Sequence, residues 1–124
     1  MDPSRAAELT NLIQRLDAEI TIEPELLVLV DQALTHVSTA RARNLERLEF
    51  LGDAVLRLTA TEFIDRHYAD LSVGACSNLR AQLVSDRWLA AIGASLDLDP
   101  LLRLGRHAQG DAAAKETLRA DATE

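Results

Sequence analysis

Cysteine is nearly absent from this chain: Cys76 stands alone. One thiol excludes an internal disulfide framework and a cysteine-based zinc centre, and its expected place is that of a small buried hydrophobe. Proline and glycine are scarce, at 3 and 5 residues, which leaves few breaks for regular elements. No stretch reaches the roughly 18 consecutive apolar residues that a membrane span requires, so no membrane partner is expected. The opening MDPSRAAEL lacks the basic-then-apolar order of a secretory signal, and the expected location is cytoplasmic. Low-complexity tracts are missing too, and an apolar fraction of 48% argues for a compact fold over disorder. With 124 residues there is room for one core, and 1–124 is read as a single domain.

A surplus of positive charge is another absence. The net charge of −7 at first speaks against a polyanionic partner. Its distribution softens that, because the chain up to Asp31 holds seven acids and two arginines, whereas the remainder holds thirteen acids and eleven bases. If five of those thirteen acids share a metal site, the rest of that segment leans positive. Net charge therefore does not exclude nucleic acid.

What the chain has in quantity is helical periodicity, and the expected fold class is all-α. Leu9, Leu12, Ile13, Leu16 and Ile20 form one amphipathic stripe starting from Ser4. TIEPELLVLVDQALTH carries a second helix with Pro24 suited to its first turn. A longer third helix is expected from about Asn44, a good N-cap, to about His67. SVGACSNLRAQLVSDRWLAAIGASL reads as two helices hinged near Ser85 and Asp86, with Asp86 as the cap of the second. LDPLLRLGRHAQGD is a loop with a short helical turn, and AAAKETLRADATE begins a last helix inside which the sequence stops.

Within the third helix Glu46, Glu49 and Asp53 fall on one face, within roughly 60° of arc. Leu48, Leu51, Val55 and Leu58 line the opposite side, and Leu45, Phe50 and Leu56 flank the acids. A helix apolar almost all round is expected to be central and buried. Like charges stacked three and four residues apart repel, so something must offset them. Two answers are open: an ion pair with Arg57, four residues after Asp53, or a hard divalent cation such as Mg²⁺, which takes carboxylate oxygens. Asp121 and Glu124, three apart near the end, supply a second carboxylate pair that could clasp a cation from another helix. Gly52 costs about 1 kcal/mol relative to alanine inside a helix and marks a close approach, either within the chain or to a second subunit.

LERLEFLGDAVL resembles the signature of the ribonuclease III domain. The likeness extends in order through QALTHVS, NLRAQLVSDRWLA, LLRLG and the terminal ADATE, from about Leu26 to Glu124. The resemblance implies a helical, homodimeric endonuclease domain that cleaves double-stranded RNA by Mg²⁺-dependent hydrolysis, with Mn²⁺ as a substitute, leaving 5′-phosphate and 3′-hydroxyl ends. Carried over residue by residue, Glu49, Asp53, Asp121 and Glu124 match the metal-binding carboxylates, and Glu46 matches the acid at the mouth of the cluster. Phe50, with Gly52 beside it, matches the dimer contact around the long signature helix. Duplex RNA would be read by shape through phosphates and 2′-hydroxyls, with Arg41, Arg43, Arg103, Arg106, His107 and Lys115 as candidate contacts. Arg80 is expected in an internal ion pair, and His36 in a helix-end hydrogen bond.

Four departures from the family pattern stand out. Leu45 replaces a frequent asparagine, and Val73 a frequent glutamate before Gly74. Arg119 occupies a usually apolar position, where it would add an RNA contact or a salt bridge. The chain also stops inside the second acidic motif, before the family's next apolar helix and its common double-stranded-RNA-binding domain, so Asp121 and Glu124 are expected on a terminus prone to fray. The competing reading is a catalytically impaired domain serving as a structural RNA- or ribosome-binding component, which the five retained acids disfavour.

Overall fold

The computed structural model describes residues 1–124 and is all-helical. Six helices follow in order: α1 (Pro3–Leu16), α2 (Pro24–Ala33), α3 (Glu46–His67), α4 (Val73–Leu83), α5 (Asp86–Ser95) and α6 (Ala112–Thr123). Single 3₁₀ turns at Val37–Thr39, Asp99–Leu101 and Arg106–Ala108 shape the connections. The boundaries follow local chemistry. Asp2 caps α1 by accepting from Arg5 N–H at 3.1 Å, and prolines open both α1 and α2. Asn44 accepts from the Glu46 N–H at 3.1 Å, so it serves the start of α3 from one residue outside the cap position. At the α4–α5 hinge the cap is Ser85, whose hydroxyl accepts from Trp88 N–H at 3.2 Å; Asp86, the expected cap, is instead the first helical residue.

The core forms two clusters. Leu9 and Leu12 of α1 pack with Leu34, Leu98 and Leu101, while Leu89 and Ala90 of α5 pack with Ala120 of α6. Leu16 and Ile20, read as part of the α1 stripe, are exposed, because the helix ends at Leu16 and leaves Ile20 in the connection. Arg5, buried, donates to Asp31 Oδ1 and to Leu101 O, both at 2.8 Å, and ties α1 to α2 and to the loop after α5. Thr35, also buried, links the entrance of α3 to the rest: its carbonyl accepts from Leu45 N–H at 2.8 Å, and it bridges to Arg103 in the one isolated β-bridge.

The helix expected at the centre is the least covered. α3 buries only Ile64 fully and packs chiefly on α4, and Phe50, Leu51, Val55 and Leu58 are all more than half exposed. Apolar periodicity all round the helix is present, but no other element of this chain lies across that side. Cys76 also departs from its expected place. It is half-buried in a cleft of about 310 Å³ shared with Ile64, Val73 and Arg80, between α3 and α4.

Candidate metal centre

Two helices meet at the acids. The N-terminal half of α3 supplies Glu49 and Asp53, and the last turn of α6 supplies Asp121 and Glu124. Gly52 lets them meet: a Cβ built there would run into the Glu124 carbonyl oxygen. The close approach that this glycine serves is filled from within the chain, one of the two readings that its position left open. Carboxylate oxygens of Glu49, Asp121 and Glu124 lie within 4.8 Å of one another, and all three residues are half-buried. None of the ion pairs in the molecule includes any of them.

Uncompensated charge shows in their proton affinities. Burial, followed by the charges of Asp121, Asp86, Glu46 and Asp53, holds the Glu49 carboxyl above its usual range. Burial and the Asp86 charge raise Asp121, while the His36 imidazole pulls the other way. Glu124 is pushed up to about 7 by burial, by a hydrogen bond shared with Asp53, and by the negative charge around it. Desolvation and crowding of like charge both favour the protonated acid, and a divalent cation would remove the same penalty without a proton. An all-oxygen donor set, held close and in no ion pair, fits a hard divalent cation.

Asp53 stands at the edge of this group. Both of its oxygens accept from Arg57 Nε at 3.1 Å, so the simple ion pair that the spacing allowed is formed. Its hydrogen bond with Glu124 and that with Arg57 hold the Asp53 carboxyl below its usual range. Glu46, the first residue of α3, is exposed and acts on the site through its charge on Glu49.

The basic candidates separate. Arg41, Arg43, Arg106 and His107 are exposed in connections, and Lys115 is exposed on α6. Arg103 is committed: its Nε donates to Asp31 Oδ1 at 3.1 Å, the same oxygen that receives Arg5, so it belongs to a structural network. Arg80 makes no ion pair and donates instead to Thr61 Oγ1 at 3.2 Å. His36 caps the turn after α2, its Nδ1 lying 3.1 Å from Ser38 N and 2.8 Å from Ser38 Oγ, which is the helix-end role expected of it. Asp86 was missed as a site neighbour. Nothing local distinguishes it from an ordinary cap, and its charge reaches Glu49 and Asp121 only because α5 lies along α6.

A ribonuclease-III-like family model matches residues 27–124. Ribonuclease 3 of Prochlorococcus marinus is 49% identical over 102 residues, 82% of this chain and 41% of its own length. Ribonuclease 3 2 of Synechocystis sp. is 42% identical over 122 residues, 98% of this chain and 50% of its own. The chain thus spans half or less of the length of these relatives. The solved nuclease domain of ribonuclease III from Campylobacter jejuni, described for flexibility in a region involved in dimer formation, superposes with a TM-score of 0.77 at 30% identity, covering 98% of this chain and 78% of that one. The fold is that of a ribonuclease III nuclease domain. Sequence and backbone agree over nearly the whole chain, which belongs to the ribonuclease-III-like family.

Proposed function

We propose that this protein is an endoribonuclease that hydrolyses phosphodiester bonds of double-stranded RNA with Mg²⁺, for which Mn²⁺ can substitute, leaving 5′-phosphate and 3′-hydroxyl ends on ribosomal and messenger RNA precursors in the cytoplasm. The observation that carries this reading is the group formed by Glu49, Asp121 and Glu124, three carboxylates within 4.8 Å that no arginine or lysine neutralises. A divalent cation bound there supplies an activated water and positive charge for the leaving 3′-oxygen. The chain's own contribution is to hold the donors. Glu49 comes from one helix and Asp121 and Glu124 from another, so these residues would hold a cation between two rigid elements. Asp53 would join them on releasing Arg57, since an exposed pair of this i, i+4 kind is weak and readily exchanged. Glu46 guards the mouth. Glu124, pushed up to about 7, would have to be deprotonated to serve as a ligand.

Duplex RNA is held through its phosphates by Arg41, Arg43, Arg106, His107 and Lys115, all exposed, while Arg103 supports the loop from beneath through Asp31. A second copy of the chain covers the outer face of α3, with Phe50, 74% exposed, as the central anchor. The test is to incubate the 124-residue chain with a long RNA duplex and Mg²⁺, with Asp53→Asn in parallel, and to resolve products on a denaturing gel. Cleavage by the unaltered chain alone, giving 5′-phosphate ends, is expected. Equal cleavage by Asp53→Asn would remove that carboxylate from the mechanism. Retained duplex binding with no cleavage by either would favour the structural RNA-binding role.

A further inference from the structure

The turn of α6 that carries Asp121 and Glu124 is gripped from behind. On an α-helix Arg119 and Thr123 lie within about 40° of each other, and the two acids project from the opposite side, roughly 120–180° away. The gripped side rests on α5 at Gly93. A Cβ built at Gly93 would lie 2.6 Å from Arg119 Cγ and 2.5 Å from Thr123 Oγ1. The Arg119 stem therefore crosses the backbone of α5 where no side chain intervenes. Beyond it the guanidinium meets Asp99, in the 3₁₀ turn after α5, with Nε donating to Oδ1 at 2.7 Å and Nη2 to Oδ2 at 2.8 Å. Thr123 Oγ1 donates back to Arg119 O at 2.7 Å and closes the turn.

We propose that Arg119 and Asp99 form a positioning clamp that sets the rotation of α6, and with it the spacing of Asp121 and Glu124 against Glu49, so that cation affinity depends on an ion pair outside the site. The clamp rests on the metal-centre reading above. A fork of two parallel hydrogen bonds fixes direction as well as distance, which a lysine ammonium does not do. Direction matters here, because a roll of the helix by about 20° moves a group about 6 Å from its axis by about 2 Å. That displacement is comparable to a metal–oxygen bond of about 2.1 Å. Arg119 and Asp99 touch no substrate in this role and act only through the helix.

The experiment titrates Mn²⁺ into the full chain by calorimetry, with a circular dichroism melt of each variant. The variants are Arg119→Leu, Asp99→Asn, their combination, Arg119→Lys and Asp121→Asn. Arg119→Leu and Asp99→Asn should each weaken Mn²⁺ binding about tenfold, the double variant no more than either alone, and Arg119→Lys by an intermediate factor. Additive weakening in the double variant would overturn the clamp. So would wild-type affinity in folded Arg119→Leu and Asp99→Asn, or in Arg119→Lys should those two fail to fold. Asp121→Asn separates the two readings: its loss of binding upholds the metal centre whatever the clamp variants do, and its binding Mn²⁺ like the wild type overturns both.

Discussion

The outer face of α3 and the seam between α5 and α6 invert the usual relation between apolar content and burial. α3 presents Phe50, Leu51, Val55 and Leu58, large hydrophobes that are mostly exposed, whereas the seam brings Gly93, Ala90 and Ala120 together beside the buried Leu89 and is the most extensive helix pairing in the chain. Large side chains signal that a face has something to gain from burial, about 1.5–3 kcal/mol for each one covered. Small ones signal that two backbones approach, which requires the partner to be present already. In this molecule the first kind of signal leaves a face open to the second copy proposed above, and the second kind brings the candidate acids together.

Four perturbations break or sharpen that contrast. The largest effect is expected at the product of the seam: Glu124→Gln should abolish Mg²⁺-dependent cleavage of duplex RNA while leaving the circular dichroism spectrum unchanged, and unaltered turnover would take this residue out of the mechanism. Next, Phe50→Ala should weaken self-association by about 2 kcal/mol, roughly 30-fold in the dimer dissociation constant, with a melting temperature of the dilute chain almost unchanged. Sedimentation equilibrium checks this, and equal dimer fractions would show that Phe50 is no anchor. Gly93→Ala should destabilise the fold itself by about 1–3 kcal/mol, because the new methyl meets Thr123 and Arg119 and α6 must shift. Urea unfolding measures it; a Gly93→Ala variant as stable as the parent would mean that the seam yields freely.

The smallest effect concerns pH. In the metal-free chain Glu124 keeps its proton up to about 7, whereas a free glutamate loses it near 4.3. The folded state thus holds more protons across that window, and stability should fall as pH rises through it, by a few degrees in melting temperature. Glu124→Gln should flatten this slope, and saturating Mg²⁺ should cancel it. Asp31 and Asp99 act in the opposite direction. Burial raises Asp31, but its bonds to Arg5 and Arg103 outweigh this, and the Arg119 hydrogen bond leads the lowering of Asp99, so both add stability that is lost only as pH falls below the usual carboxylate range.

Much of this is legible in the sequence. Periodicity placed the helices, and the i, i+3, i+7 spacing placed Glu46, Glu49 and Asp53 on one side of α3. The ordered motifs carried the family. Other features were not legible, each for a reason of range. Asp53 has both the other acids and Arg57 within reach on paper, and only the rotamers show it bonded to Arg57 and to Glu124 together. Arg103 looked like a free loop cation, although it shares Asp31 with an arginine far away in sequence. Residue type alone points Cys76 to the interior, and the shallow contact of α4 with α3 leaves it at a cleft.

By itself, then, the sequence determined which residues share a helix face and where helices start, because those depend on neighbours within about four positions and on the fixed pitch of the α-helix. It also determined the family, through motifs that keep their order along the chain. Only the tertiary structure decided which face meets which. Gly52 and Gly93 record approaches between segments that are distant along the chain, and a glycine does not name the backbone that will come to it. The exposure of α3 was decided in the same way, since burial is a property of what lies opposite a side chain and not of the side chain alone.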